Sequence, residues 1–247
     1  DLGLDWKVVY NTIFDDLGVK NIRLAAYWDE VESDNDSYDW EDLDWQIDQA
    51  SEAGANIILA IGGRLPRWPE CHFPAWTNEL STEDKEVETL EYIERTMFRY
   101  RENQNIIAWQ IENEPFLAHF GECPDFDPAF LDKEIALAKK IDSRPIIITD
   151  SGELSLWVPA AKRADVFGTT MYRDTYSNLL KAYVHYPIEP SFFKVKKNLT
   201  SIFAEPQKWL VIELQGEPWG PIPFQYLSQD ERDKTMSIEK FHDIIEF

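Results

Sequence analysis

Two segments of this chain close an apolar run with a glutamate. Residues 106–115 read IIAWQIENEP and residues 209–218 read WLVIELQGEP. A β-branched and aliphatic run of this kind is the pattern of a buried strand. Its last residue then carries a carboxylate into a polar place. Two such carboxylates facing each other across a cleft can break a glycosidic bond, one protonating the leaving oxygen and the other attacking the anomeric carbon. Glu114 and Glu213 form this candidate catalytic pair. Glu114 stands between Asn113 and Pro115, and proline has no amide hydrogen for a ladder, so the glutamate becomes the last ordered strand position. Glu213 follows four apolar residues, where a carboxylate is costly unless something hydrogen-bonds it. Arg23 and Tyr172, both at strand ends, are the candidates. The plainer readings are a loop-start carboxylate at Glu114 and a structural ion pair between Glu213 and Arg23. Glu217, in a Gly-Glu-Pro turn, competes as nucleophile with a poorer aim.

The elements that must position these groups alternate strand and helix. Apolar residues at Trp6, Val9, Ile13, Phe14 and Leu17 mark a first helix, ended by Gly18. Residues 21–26 (NIRLAA) and 56–61 (NIILAI) read as strands, with a helix marked by Leu43, Ile47 and Ala50 between them. A long helix follows at Val87, Leu90, Ile93, Met97 and Tyr100, then the strand 106–111, and a helix at Leu131, Ile135, Ala138 and Ile141. Residues 145–149, 165–170 and 209–214 read as further strands, 191–202 as a weaker helix, and 235–247 as a terminal helix. Continuous apolar strands separated by helices indicate a parallel sheet covered on both faces. Either a (β/α)₈ barrel or a doubly wound sheet fits, and the lack of a glycine-rich phosphate loop after any strand counts against the nucleotide-binding doubly wound folds. The expectation is an α/β fold, a (β/α)₈ TIM barrel over residues 1–247 as one catalytic domain. A barrel needs eight strands and six are legible, so the first and last strands are expected outside Asp1 and Phe247 and the chain is expected to be a fragment.

In a parallel barrel reactive groups gather at the C-terminal strand ends. These ends offer Arg23 with Tyr27 and Trp28, Arg64 with Trp68, Asn113 with Glu114, Asp150 with Glu153, Tyr172 with Arg173, and Glu213 with Gln215, Glu217 and Trp219. Trp28, Trp68, Trp76 and Trp219 are candidates for stacking on sugar rings, although each alone is more often a core or loop anchor. His72 and His119 share these loops and receive no role beyond hydrogen bonds to sugar.

Residues 106–115, 209–218 and 21–32 (NIRLAAYWDEVE) together resemble glycoside hydrolase clan A. Within the clan, the run from Arg23 through Trp28 and Glu32 to Tyr38-Asp39-Trp40 resembles family 42 β-galactosidases and the family 5 cellulase-like group, and residues 58–76 are closer in style to family 42. The resemblance implies a barrel with the acid/base Glu114, the nucleophile Glu213, Asn113 as partner of the sugar 2-hydroxyl, and Arg23 and Tyr172 as supports of the nucleophile. It implies retaining hydrolysis of a β-linked oligosaccharide or polysaccharide, with no cofactor and no metal. Two places depart from family 5 habit: Gly62-Gly63 and Thr170-Met171 stand where histidines are usual, and residues 215–220 are unlike a family 42 segment.

Composition sets the remaining bounds. A net charge of -22, from 46 acidic and 24 basic residues, makes nucleic acid and anionic membranes poor partners. The longest apolar stretch, residues 57–61, is too short to span a bilayer. Two cysteines, Cys71 and Cys123, follow strands in separate loops, and both a disulfide and two free thiols remain open. Two Cys and four scattered His offer too few ligands for a zinc site. The rival reading is a non-catalytic carbohydrate-binding barrel, which would keep the tryptophans and need neither glutamate.

Overall fold

The computed structural model describes residues 3–117, 120–177 and 180–246. Its first helix, α1 (Trp6–Asp15), is capped by Asp5, whose side chain accepts from the Lys7 amide, and Gly18 takes φ 62° beyond it. The chain then runs through β1 (Asn21–Ala25), α2 (Trp28–Val31), α3 (Glu41–Glu52), β2 (Asn56–Ile61), α4 (Thr82–Tyr100), β3 (Ile106–Ile111), α5 (Pro128–Ile141) and β4 (Ile146–Asp150). It continues through α6 (Val158–Ala161), β5 (Val166–Met171), β6 (Asp174–Ser177), β7 (Ala182–His185), α7 (Pro190–Thr200), β8 (Lys208–Leu214), α8 (Gln229–Asp233) and α9 (Ile238–Glu246).

Six strands form one sheet in the order β1-β2-β3-β4-β5-β8, every neighbouring pair parallel. Sequential parallel strands with helical crossovers are the construction of a (β/α)₈ barrel, here with β1 and β8 as the two edges of the described sheet. The strands fall within a residue or two of the expected ones. Besides the short helices α2, α6 and α8, the hairpin escapes the sequence pattern: β6 and β7 pair antiparallel outside the main sheet. Its strands are four residues each, too short for a periodicity to register.

The helices cover the sheet with periodic faces. α4 buries Thr89, Tyr92, Ile93, Thr96, Met97 and Tyr100, a stripe at three- and four-residue steps, and its start is capped by Ser81, which accepts from the Asp84 amide. Tyr92 stacks on Trp28 at 5.2 Å and donates its hydroxyl to the Ala26 carbonyl (2.8 Å), which ties α4 to the end of β1. Both rings are wholly buried, and truncating either costs about 3–5 kcal/mol. Two expectations need correction. Along α1 only Tyr10 and Phe14 are buried, while Trp6 and Val9, and Leu17 beyond its end, stay exposed. Nor is every strand covered on both faces: β8, at the edge of the described sheet, has no fully buried residue, and Val211 is 44% exposed.

Candidate active site

The site is built from the middle of β1 and from the ends of β3, β4, β5 and β8. At β3 the ladder runs on past Ile111: the Glu112 amide donates to the Ile61 carbonyl (3.1 Å) and the Asn113 amide to the Arg64 carbonyl (2.7 Å). Glu112 and Glu114 take φ 57° and 44°, an uncommon conformation for residues with a Cβ. The Glu114 amide donates to Thr149 Oγ1 (2.8 Å) at the end of β4, which helps hold this kinked backbone. The expected place of Glu114 as the last strand position needs correction: β3 ends at Ile111, and Glu114 stands three residues on, in a turn with left-handed backbone ahead of Pro115.

At β8, Glu213 is half-buried. Its Oε1 accepts from Arg23 Nη2 (2.5 Å) and its Oε2 from the Tyr172 hydroxyl (3.0 Å), so the two expected donors both reach it, one on each oxygen. Arg23 also donates to Gln110 Oε1 (3.3 Å), which fixes the guanidinium against β3. The β5–β8 register shifts between Thr169 and Thr170, and Thr170 becomes the backbone partner of Glu213. The Thr170 hydroxyl donates to Glu114 Oε1 (3.0 Å). One threonine thus bonds the Glu114 carboxyl and pairs through its backbone with Glu213.

The two glutamates sit in opposed environments. Glu114 is buried, and burial pushes its carboxyl up to about 8, with the negative charge of Glu213 adding to the rise and the Thr170 hydrogen bond opposing it. Glu213 has a cation and a phenol on its oxygens. Burial and the adjacent Glu213 charge hold the Tyr172 phenol well above its ordinary value, so it stays a donor. A carboxyl that stays protonated at neutral pH beside one held by a guanidinium is the pairing that acid and nucleophile roles need.

Asn113 is fixed by its neighbours. Its Oδ1 accepts from Gln110 Nε2 (3.2 Å) and the Thr149 hydroxyl (3.2 Å), which turns its Nδ2 toward Glu70 Oε2 (3.4 Å). Glu70 is a site residue that the sequence reading missed. It lies off any strand, in the turn after β2, and burial pushes its carboxyl up to about 7 against the pull of the Arg64 guanidinium. Glu112 was also missed, and its place differs: it accepts from the Gly63 amide (2.7 Å) and the Arg64 amide (2.6 Å) and pairs with the buried Glu134 of α5. The signal lay in the doubled glutamate around Asn113. Thr149, Thr170 and Gln110 carry no signal of their own, since polar residues inside apolar runs are legible only when their partners are known.

The tryptophans divide. Trp219 lies 5.4 Å from the Tyr172 ring, Phe120 lies 6.3 Å from Trp219, and Trp68 lies 6.4 Å from Phe120. This aromatic row leads from the Glu213 donor to Trp68, which is 64% exposed. Trp28, by contrast, is 0% exposed and donates to Glu32 Oε2 (2.7 Å), so it is a core residue and cannot stack on a sugar. Trp76 packs against it and donates to the Glu32 carbonyl (3.0 Å). Glu217 is engaged by Trp219 Nε1 (3.3 Å) and its own turn. His72 faces Asp29 (3.4 Å) and Tyr27, while His119 lies outside the described residues. Cys71 and Cys123 form a disulfide, which closes the alternative of two free thiols. Among the described residues no cluster of three or more His, Cys, Asp and Glu is arranged to hold a metal, and no helix is long and apolar enough to cross a membrane.

A parallel sheet of this topology, with glutamates at the ends of strands three apart in it, defines a glycoside hydrolase barrel of clan A. The chain belongs to glycosyl hydrolase family 5: residues 8–141 match Cellulase (glycosyl hydrolase family 5). No curated protein matches the chain. Among solved structures it is similar to a GH5_18 enzyme from Streptomyces cattleya in complex with GlcNAc, at 18% identity and TM-score 0.53 over 70% of this chain and 46% of that one. It is similar also to an endo-β-1,4-xylanase of family 10 from Gloeophyllum trabeum, at 15% identity and TM-score 0.62 over 93% of this chain and 72% of that one. A β-galactosidase from the psychrophilic Marinomonas ef1 gives 13% identity and TM-score 0.63 over 87% and 47%. At these identities the likeness is one of fold, and the chain spans about half the length of the Streptomyces cattleya enzyme.

Proposed function

We propose that residues 1–247 form one catalytic domain that hydrolyses β-glycosidic bonds in an oligosaccharide or polysaccharide with retention of configuration. The observation that carries this reading is the pairing of Glu114, buried beneath the charge of Glu213, with a Glu213 held by Arg23 and Tyr172. In the first step Glu213 attacks the anomeric carbon as a carboxylate, aimed by its two donors. Glu114 gives its proton to the leaving oxygen, so the bond breaks without an alkoxide forming. A glycosyl ester on Glu213 results, and the negative charge beside Glu114 is gone. The Glu114 pKa then falls, and its carboxylate takes a proton from the water that cleaves the ester. Glu213 is released as a carboxylate and Glu114 is again protonated. Double displacement of this kind calls for a carboxyl separation of about 5–5.5 Å. Asn113 Nδ2 meets the sugar 2-hydroxyl, and the row Tyr172, Trp219, Phe120 and Trp68 forms an apolar wall for further sugar rings.

The test is a panel of 4-nitrophenyl β-glucoside, β-galactoside, β-mannoside and β-xyloside, with product anomers followed by proton NMR. The reading expects cleavage of at least one, with the β-anomer formed first. Binding of oligosaccharide without turnover of any glycoside would replace it with the sugar-binding barrel.

A further inference from the structure

Glu70 is placed at considerable structural expense. Its own φ is 75° and that of Arg67 is 94°, both left-handed and unfavourable for residues with a Cβ. The turn is closed by a bridge between Arg64 and Cys71, by the Leu65 amide on the Glu70 carbonyl (2.7 Å) and by the Glu70 amide on the Arg67 carbonyl (2.7 Å). A second loop locks it: the Glu122 amide donates to the Pro69 carbonyl (2.9 Å), and Cys71 is bonded to Cys123. Gly121 lies so close that a Cβ there would stand 2.6 Å from Glu70 Cβ and 2.8 Å from the Pro69 carbonyl oxygen. Two loops are thus pinned together around one buried carboxyl.

That carboxyl is under-used by the protein. The structural carboxylates nearby are well supplied: Glu112 takes two backbone amides, and Glu32 takes the Trp28 indole (2.7 Å) and the Asp36 amide (2.9 Å). The Glu70 carboxyl has a single hydrogen bond among the described residues, the 3.4 Å contact from Asn113 Nδ2. Close by, the Arg64 guanidinium donates through Nη2 to the carbonyls of Leu117 and Phe120, and its buried Nε has no partner among the described residues. A buried carboxyl with spare acceptor capacity, close to a guanidinium whose Nε is unpaired among the described residues, marks a place for a polar ligand group.

We propose that Glu70 is a specificity-determining residue that reads, with Asn113, the hydroxyl at C2 of the sugar held between Glu114 and Glu213. This rests on the proposed glycosidase reading. The orientation of Asn113 decides the chemistry: with its oxygen committed to Gln110 and Thr149, it presents only Nδ2 on the Glu70 side. A hydroxyl against that amide accepts from it and keeps a proton to give, and Glu70 is the acceptor at hand. The pair therefore fits a group that both accepts and donates. A sugar without the 2-hydroxyl leaves both members unanswered.

The experiment compares Glu70→Met with the wild-type chain on the 4-nitrophenyl β-glycoside that the wild type cleaves fastest and on its 2-deoxy counterpart. Met fills the same space and accepts nothing. Loss of kcat/KM by roughly 10–100-fold on the hydroxyl substrate, and less than about 2-fold on the 2-deoxy substrate, is the expected result. Glu70→Gln, which keeps an acceptor oxygen, recovers part of the activity, and it carries the same comparison if Glu70→Met fails to fold by thermal melt. Equal losses on both substrates, or none on the hydroxyl substrate, overturn the assignment of Glu70 alone. Wild-type inactivity on every glycoside overturns the glycosidase reading and this inference with it.

Discussion

Replacing Glu114 by Gln should stabilise the protein at neutral pH while it removes the proton donor. The folded state raises the Glu114 carboxyl from 4.5 to about 8, chiefly through burial. The contribution of the protonated carboxyl is therefore fully present below pH 4.5 and is lost as pH rises through about 8. Between those limits the unfolded chain releases a proton that the folded chain keeps, and stability falls by about 1.4 kcal/mol per pH unit. At pH 7 the wild type has lost roughly 3 kcal/mol relative to acid pH. Gln is isosteric and neutral, and its oxygen can keep the 3.0 Å bond from the Thr170 hydroxyl. The variant escapes the loss, so its advantage at pH 7 is up to roughly 3 kcal/mol, or about 6–12 °C in melting temperature for a chain of this size. The assay is denaturant unfolding of both proteins at pH 4.5 and pH 7. Comparing the difference at the two pH values cancels any packing change. An advantage for the Gln variant that is the same at both would refute the claim that the carboxyl is held neutral by its surroundings.

Glu213→Gln should abolish turnover, and azide should rescue Glu213→Gly with an inverted product, read by NMR of the glycosyl azide. Tyr172→Phe removes the donor 3.0 Å from Glu213 Oε2 and should lower kcat by roughly 10–100-fold with little change in melting temperature, measured by steady-state kinetics beside a thermal scan. Burial and the neighbouring Glu112 raise the Glu134 carboxyl well above the usual carboxylate range, so wild-type stability should fall as pH rises above that range; Glu134→Gln, which still donates, should flatten the fall in denaturant unfolding followed across pH. Alanine at both Cys71 and Cys123 unpins the loops that carry Trp68 and Glu70 and should raise KM more than it lowers kcat.

The parallel sheet was legible because its strands are apolar runs set between periodic helices. All six begin within one residue of the positions read from pattern. Glu114 and Glu213 were legible for a related reason: a carboxylate that ends such a run stands out. Their supports were partly legible: Tyr172 directly follows the end of β5, whereas Arg23 reaches Glu213 from the middle of β1 rather than from its end. Thr170 was hidden, because its role depends on a register shift opposite β8 that no local pattern encodes. Glu70 was hidden because turn geometry and a disulfide place it, and neither follows from periodicity. Trp28 misled for the opposite reason. It follows a strand as a sugar platform would, yet the short helix α2 turns it inward against Tyr92.

The most direct test of the two-glutamate account is to inactivate the protein with a 2-deoxy-2-fluoro β-glycoside bearing a dinitrophenolate leaving group and to locate the adduct by peptide mass spectrometry. The account predicts a single fluoroglycosyl ester on Glu213, formed by the wild type and absent in Glu213→Gln. An adduct on Glu217, or inactivation that persists in Glu213→Gln, would contradict it.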